Sequence, residues 1–128
     1  MKKLLPILFV LIITSCSKEI SSDQLVVRDG LYYEVNSKTP FSGTTVLNWD
    51  NGQLDTKIKF IDGKEDGLSL SYFRNGQLFT KVTYKDGKKN GPSEIYDDFG
   101  LLMYKNNWKE EKKDGLQIEY DENGQIRK

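Results

Sequence analysis

The sequence predicts an all-β fold, an elongated single antiparallel sheet of stacked 24-residue β-hairpins behind a short export signal. Three observations predict it. Two independent glycine series share one period without an insertion: Gly43, Gly67, Gly91 and Gly115, and Gly52, Gly76, Gly100 and Gly124. The runs between them alternate apolar and polar residues with period 2, as half-buried strands do. The composition is rich in Gly, Tyr, Phe, Asp, Asn and Lys, the residues of strands and tight turns.

Taken from the N-terminus, Met1-Lys2-Lys3 is a short positive segment and Leu4 to Ile13 an apolar run. Such a run is too short to cross a bilayer core as a helix, which needs ~20 residues, so residues 1–15 read as a signal peptide. Ile13-Thr14-Ser15-Cys16 resembles the bacterial lipobox. That resemblance implies cleavage before Cys16, diacylation of its sulfur, acylation of the new amino terminus, and hence a membrane partner reached through lipid. Each buried CH2 contributes ~0.8 kcal/mol, so several acyl chains together anchor firmly. The expected location is the cell envelope, in the outer membrane if the host is Gram-negative. Residues 16–24 comprise the lipidated Cys and a polar, Ser-rich stretch (SKEISSDQ) that reads as a flexible tether.

Residues 25–128 hold the repeats. Around the second glycine series stand Asn51-Gly52-Gln53-Leu54, Asn75-Gly76-Gln77-Leu78, Phe99-Gly100-Leu101-Leu102 and Asn123-Gly124-Gln125-Ile126. Ahead of the first series come Asp62-Gly63, Asp86-Gly87 and Glu110-Glu111. Each unit therefore carries two turns and two short strands, and hairpins of this size bury their apolar columns only by stacking. A three-residue loop Arg74-Asn75-Gly76, with Gly76 left-handed, pairs Tyr72 with Leu78 and is expected to bring the Leu68-Leu70-Tyr72 column onto the face of Leu78, Thr80, Val82 and Tyr84. The first hairpin, Leu25 to Val35, is two residues out of register. The third unit departs from the pattern at Glu94, Phe99 and Glu110-Glu111, which predicts a distorted repeat or a binding spot.

These units, such as Gly67-Leu68-Ser69-Leu70-Ser71-Tyr72-Phe73-Arg74-Asn75-Gly76-Gln77-Leu78, resemble the MORN-variant repeats of bacterial YwqK-family antitoxins. The resemblance spans about residues 25–128. It implies an elongated single-sheet repeat structure, a role in protein interaction or membrane association, and an antitoxin-like or immunity function.

Several function classes are excluded by composition. The chain has no histidine and one cysteine, which removes Ser-His-Asp and Cys-His catalysis, His-containing zinc sites, CxxC chemistry and internal disulfides. Without Lys2 and Lys3 the charges stand at 17 basic against 19 acidic, a net −2, unlike a nucleic-acid binder. The Asp-Gly and Asn-Gly pairs are turn residues, with no EF-hand spacing among them. No catalytic residue, metal site or cofactor is expected, and the chain is not read as an enzyme. The candidate binding face comprises Phe73, Phe79 and Met103, apolar among lysines, with Tyr96 and Trp108 from the aromatic columns. A protein partner is the first expectation, a cell-wall or glycan ligand the alternative, and edge-to-edge self-association a further possibility at open sheet ends.

Overall fold

Two turn chemistries alternate along the chain, and they build the sheet. In the computed structural model, which describes residues 17–127, Asp62 (φ 49°) and Gly63 (φ 79°) form a two-residue loop between β5 (Leu54–Ile61) and β6 (Lys64–Tyr72). Positive φ at both central positions is the type I′ turn, whose twist matches that of the strands it joins. Asp86-Gly87 repeats it between β7 (Leu78–Lys85) and β8 (Lys88–Tyr96). Glu110 (φ 49°) and Glu111 (φ 67°) adopt the same backbone between β9 (Leu102–Lys109) and β10 (Lys112–Lys113). The third unit is thus not distorted at this turn. Glu111 N–H donates to Lys89 O (3.0 Å), as Gly87 N–H does to Glu65 O (2.8 Å), and this stacking holds two non-glycine residues in the left-handed region.

The other turn is the three-residue glycine loop. Gly76 N–H donates to Phe73 O (2.9 Å), Phe73 N–H donates to Gln77 O (2.8 Å), and Tyr72 pairs with Leu78. Trp49–Gln53, Asp97–Leu101 and Asp121–Gln125 close in the same way. Gly76 sits at φ +87°, with Gln53 Oε1 3.2 Å from where a Cβ would stand. Gly76→Val is expected to lower stability by about 2 kcal/mol, because a β-branched residue is forced left-handed. A urea titration checks it, and an unchanged midpoint would contradict the turn assignment.

Nine of the eleven strands among the described residues form one sheet, in the order β1 (Glu19–Ser21), β4 (Gly43–Asn48), β5, β6, β7, β8, β9 and β10, with β11 (Ile118–Glu119) also on β9. Adjacent strands from β4 to β10 are antiparallel. The expected signal peptide, residues 1–15, and the expected lipid site Cys16 lie outside the described residues. Residues 17–24, expected as a tether, instead provide β1 (Glu19–Ser21), parallel to β4, and one 3-10 turn, Ser22–Gln24. Pairing Ile20 with Thr45 covers backbone groups that β4 would otherwise leave open at the sheet edge. The first hairpin is also corrected. β2 (Leu25–Arg28) and β3 (Leu31–Glu34) make a separate two-stranded sheet rather than a rung of the main one. Pro40, bridged to Tyr33, has no N–H to extend a ladder.

The expected merging of the two apolar columns does not occur. A second bulge follows the glycine loops at Gly52, Gly76 and Gly100, so that beyond Tyr72↔Leu78 the pairing becomes Ser71↔Thr80 and Leu70↔Lys81. That extra residue on β7 offsets the one added by the three-residue loop. Leu68 and Leu70 therefore face away from Thr80 and Val82. Across the sheet one face carries the row Thr45, Ile58, Ser69, Val82, Ser93 and Asn106. The opposite face carries Val46, Lys57, Leu70, Lys81, Glu94 and Lys105. Among the described residues only Phe41 and Phe60 are buried apolar side chains. Both belong to the N-terminal end, where Tyr32, Phe41 and Phe60 cluster with ring centres 4.9 and 5.8 Å apart.

Candidate functional site

The ends of the strands, rather than their middles, gather the aromatic side chains. At the glycine-loop end, Trp49 and Phe73 occupy the same column one period apart. Trp49 Nε1 donates to Tyr72 O (3.1 Å), which ties the indole to the next unit. The Phe73 and Phe79 rings lie 4.7 Å apart. Arg74 places its guanidinium 4.9 Å from the Trp49 ring centre while Nη1 bonds Asp50 Oδ1 at 2.7 Å. Trp49, Phe73, Phe79 and Arg74, together with Tyr72, Asn75 and Asp98, line an open groove of about 500 Å³. Its walls are aromatic and its rim carries both signs of charge. The exposed Arg74–Asp50 pair adds little stability, since solvent screens it, but it fixes the guanidinium against the indole.

A side-chain ladder sets the spacing of these tips. Asn51 Oδ1 accepts from Gln53 N–H (3.0 Å) while its Nδ2 donates to Arg74 O of the following tip (2.9 Å). Asn75 repeats both bonds, to Gln77 N–H and to Asp98 O. Phe99 has no side-chain donor and stands 83% exposed, so the ladder stops there. Phe99→Asn is expected to supply the missing donor to Glu122 O and stabilise by about 0.5–1 kcal/mol. A small rise in melting temperature is the readout, and a fall would mean that the third tip is spaced differently.

The residues of the expected binding face fall on two faces. Phe73 and Phe79 meet in the groove, with Phe79 41% exposed. Tyr96 is half-buried and donates its hydroxyl to Glu94 Oε2 (2.8 Å), on the lysine-bearing face. Burial and that bond to an anion both raise the Tyr96 phenol above its ordinary range. Met103 is half-buried and is the bulged residue between Leu102 and Tyr104. Trp108 belongs to the hydroxyl-bearing face, where its Nε1 donates to Ser93 Oγ (2.8 Å) and Lys89 Nζ stands 4.7 Å from the ring centre. The turn glycines are structural elements of the tips and bulges.

At the type I′ end, Phe60, Tyr84 and Trp108 recur one period apart, opposite Gly43, Gly67 and Gly91 respectively. Glu65 is paired with Phe60 and lies near Tyr84. Burial raises the Glu65 carboxyl above the usual carboxylate range, the Glu111 charge adds to the rise, and Lys89 partly offsets it. Tyr84 is raised by burial and then by the Glu65 and Glu111 charges.

Sequence reasoning missed Trp49, Arg74, Lys89, Ser93 and Asn106. The available signal for Trp49 was its 24-residue spacing from Phe73. For Asn106 it was a polar residue in the column of Ile58 and Val82.

The model of the MORN repeat variant matches residues 65–86 and 113–128. No curated protein and no solved structure matches the chain. The two matched stretches are two periods apart, and the unit between them is the one that carries Glu94, Phe99 and Glu110. Repeats of this kind commonly serve protein or membrane interaction. Over those two stretches, and in its stacked hairpins, the chain is similar to MORN-variant repeats.

Proposed function

We propose that this protein is a non-catalytic binding scaffold of the cell envelope, anchored by lipid on Cys16, whose repeat sheet docks a protein partner in the Trp49–Phe73–Phe79 groove. The observation that carries the reading is the groove itself. A sheet that buries almost no side chain on either face still assembles four aromatic residues, Trp49, Tyr72, Phe73 and Phe79, at the glycine-loop end of its strands, framed by Arg74 and Asp98. Aromatic anchors with an arginine at the rim are what protein interfaces concentrate their binding energy in. The anchor adds geometry. Only Ser17 and Lys18 separate Cys16 from β1, so a lipid there holds the β1 edge within about 10 Å of the attachment point.

An immunity role follows from the resemblance to YwqK-family antitoxins. Export restricts it to a toxin that acts in the envelope. Crosslinking in intact cells, followed by purification from the membrane fraction and mass spectrometry, tests the scaffold reading. A single stoichiometric protein lost on Phe79→Asp supports it, and a toxin in that position supports immunity. Recovery of nothing above background, or recovery unaffected by Phe79→Asp, overturns the groove as the docking site.

A further inference from the structure

The third rung of the hydroxyl-bearing face differs from the two before it. The column Ile58, Val82 and Asn106 turns polar, while the neighbouring columns keep a hydroxyl, in Thr45, Ser69 and Ser93, and an aromatic ring, in Phe60, Tyr84 and Trp108. Asn106 Oδ1 is one of two buried side-chain polar atoms without a hydrogen-bond partner among the described residues. A buried carbonyl left unpaired is unfavourable by about 1–3 kcal/mol, and nothing in the repeat requires it, because Ile58 and Val82 serve the same position. Such violations of local preference collect at functional sites.

Around this atom lies a cavity of about 150 Å³, lined by Trp108, Asn106, Ser93, Lys89, Val82 and Ile95. Ser93 is 7% exposed and its Oγ accepts from Trp108 Nε1, which leaves the hydroxyl proton free to donate. Asn106 Oδ1 needs a donor, and the indole offers a flat apolar surface. Val82 and Ile95 supply aliphatic wall, and Lys89 Nζ stands over one face of the indole, 4.7 Å from its centre, leaving the other face for a sugar ring. An acceptor and a donor side by side, next to an aromatic plane, complement adjacent hydroxyls on a ring whose C–H face is apolar.

We propose that the Trp108–Asn106–Ser93 cavity is a carbohydrate subsite that takes one pyranose unit, with Asn106 Oδ1 accepting from a sugar hydroxyl and Ser93 donating to its neighbour. The subsite shares no residue with the Trp49–Phe73–Phe79 groove and stands whether or not a protein docks there. Isothermal titration of the purified full chain with glucose, N-acetylglucosamine and their β-1,4-linked tetramers tests it. At least one sugar is expected to bind with one-to-one stoichiometry. Tighter binding of a tetramer than of its monomer identifies a glycan chain as the ligand, and equal binding identifies a single unit. Asn106→Leu is expected to weaken binding about tenfold or more, by loss of the accepting carbonyl, while raising the melting temperature of the unliganded protein. Trp108→Ala weakens binding as well, and Val27→Ser, on the remote cap hairpin, leaves it unchanged. Absence of binding to all four sugars overturns the proposal. So does an Asn106→Leu protein that keeps its affinity, or one that melts lower, since either outcome makes Asn106 structural.

Discussion

Replacement of Phe60 by alanine is expected to lower stability by about 3–4 kcal/mol, the largest effect of any single side-chain truncation in this sheet. Phe60 is 3% exposed, and it is where three parts of the chain meet. Its ring lies 4.9 Å from Tyr32 of the cap hairpin and 5.8 Å from Phe41. The backbone around it is knitted in the same place. Tyr32 N–H donates to Gly63 O, Gly63 N–H to Phe41 O, and Phe41 N–H to Tyr32 O, all within 2.8–2.9 Å. Truncation removes the packing that makes this triangle favourable, so the cap sheet β2–β3 loses its seat. Repeat arrays transmit such damage mainly to neighbours. Hydrogen exchange should therefore quicken most for residues 25–41 and β4, and least for β8 and β9. Phe99→Ala is the comparison, since that ring is 83% exposed and its removal should shift stability by less than about 0.5 kcal/mol. Equal losses in the two variants would mean that the N-terminal cluster is not the core.

Much of this architecture was legible in the sequence because it is written in glycine. Glycine marks every three-residue loop, and the period that Gly52, Gly76, Gly100 and Gly124 share reappears as four tips of one geometry. The left-handed loop and its Tyr72↔Leu78 closing pair were readable from turn chemistry alone. The face assignment was not. It depends on a second bulge one residue further along, and no residue type marks that bulge, since Phe79 and Met103 are ordinary strand residues. A single-residue shift exchanges the two faces, which is why Leu70 was expected opposite Thr80 and stands opposite Lys81. The type I′ turn at Glu110-Glu111 was illegible for the opposite reason. Its conformation is imposed by stacking on Lys89, with Glu111 Oε1 accepting from Lys89 N–H (2.7 Å), not by its own preferences.

The candidate site divides in the same way. Phe73 and Phe79 stand out in the sequence as apolar residues among lysines, and they do meet. Trp108 and Tyr96 read as one aromatic strip by column, yet they point to opposite faces, because the columns on either side of each tip are separated by that same bulge. Only the pairing Ser93↔Asn106 beside Trp108 brings the polar atoms of the proposed sugar subsite together.

Gly43→Ala is expected to be nearly as damaging as the loss of Phe60, at about 2–3 kcal/mol, and to act through contact rather than through backbone strain alone. An added Cβ at Gly43 would stand 2.5 Å from Lys18 O and 2.8 Å from Phe41 Cζ. Neither neighbour can give way cheaply. Lys18 O accepts from Thr44 N–H at 2.8 Å and holds β1 in register, while Phe41 is 4% exposed beneath Phe60. The methyl therefore has to expel β1 from the edge of β4 or lift Phe41 out of its cluster. Gly30→Ala separates the two causes, since Gly30 has φ +76° with nothing within 4 Å of its Cβ position and carries only the left-handed penalty of about 1 kcal/mol. A loss at Gly43 no greater than at Gly30 would show that the close approach of β1 contributes nothing. The larger loss, with faster exchange at Ile20 and Ser21, would establish that the segment following Cys16 is part of the sheet. A lipid on that cysteine would then fix the β1 edge toward the membrane, and releasing β1 would convert a fixed platform into one swinging on a polar leash.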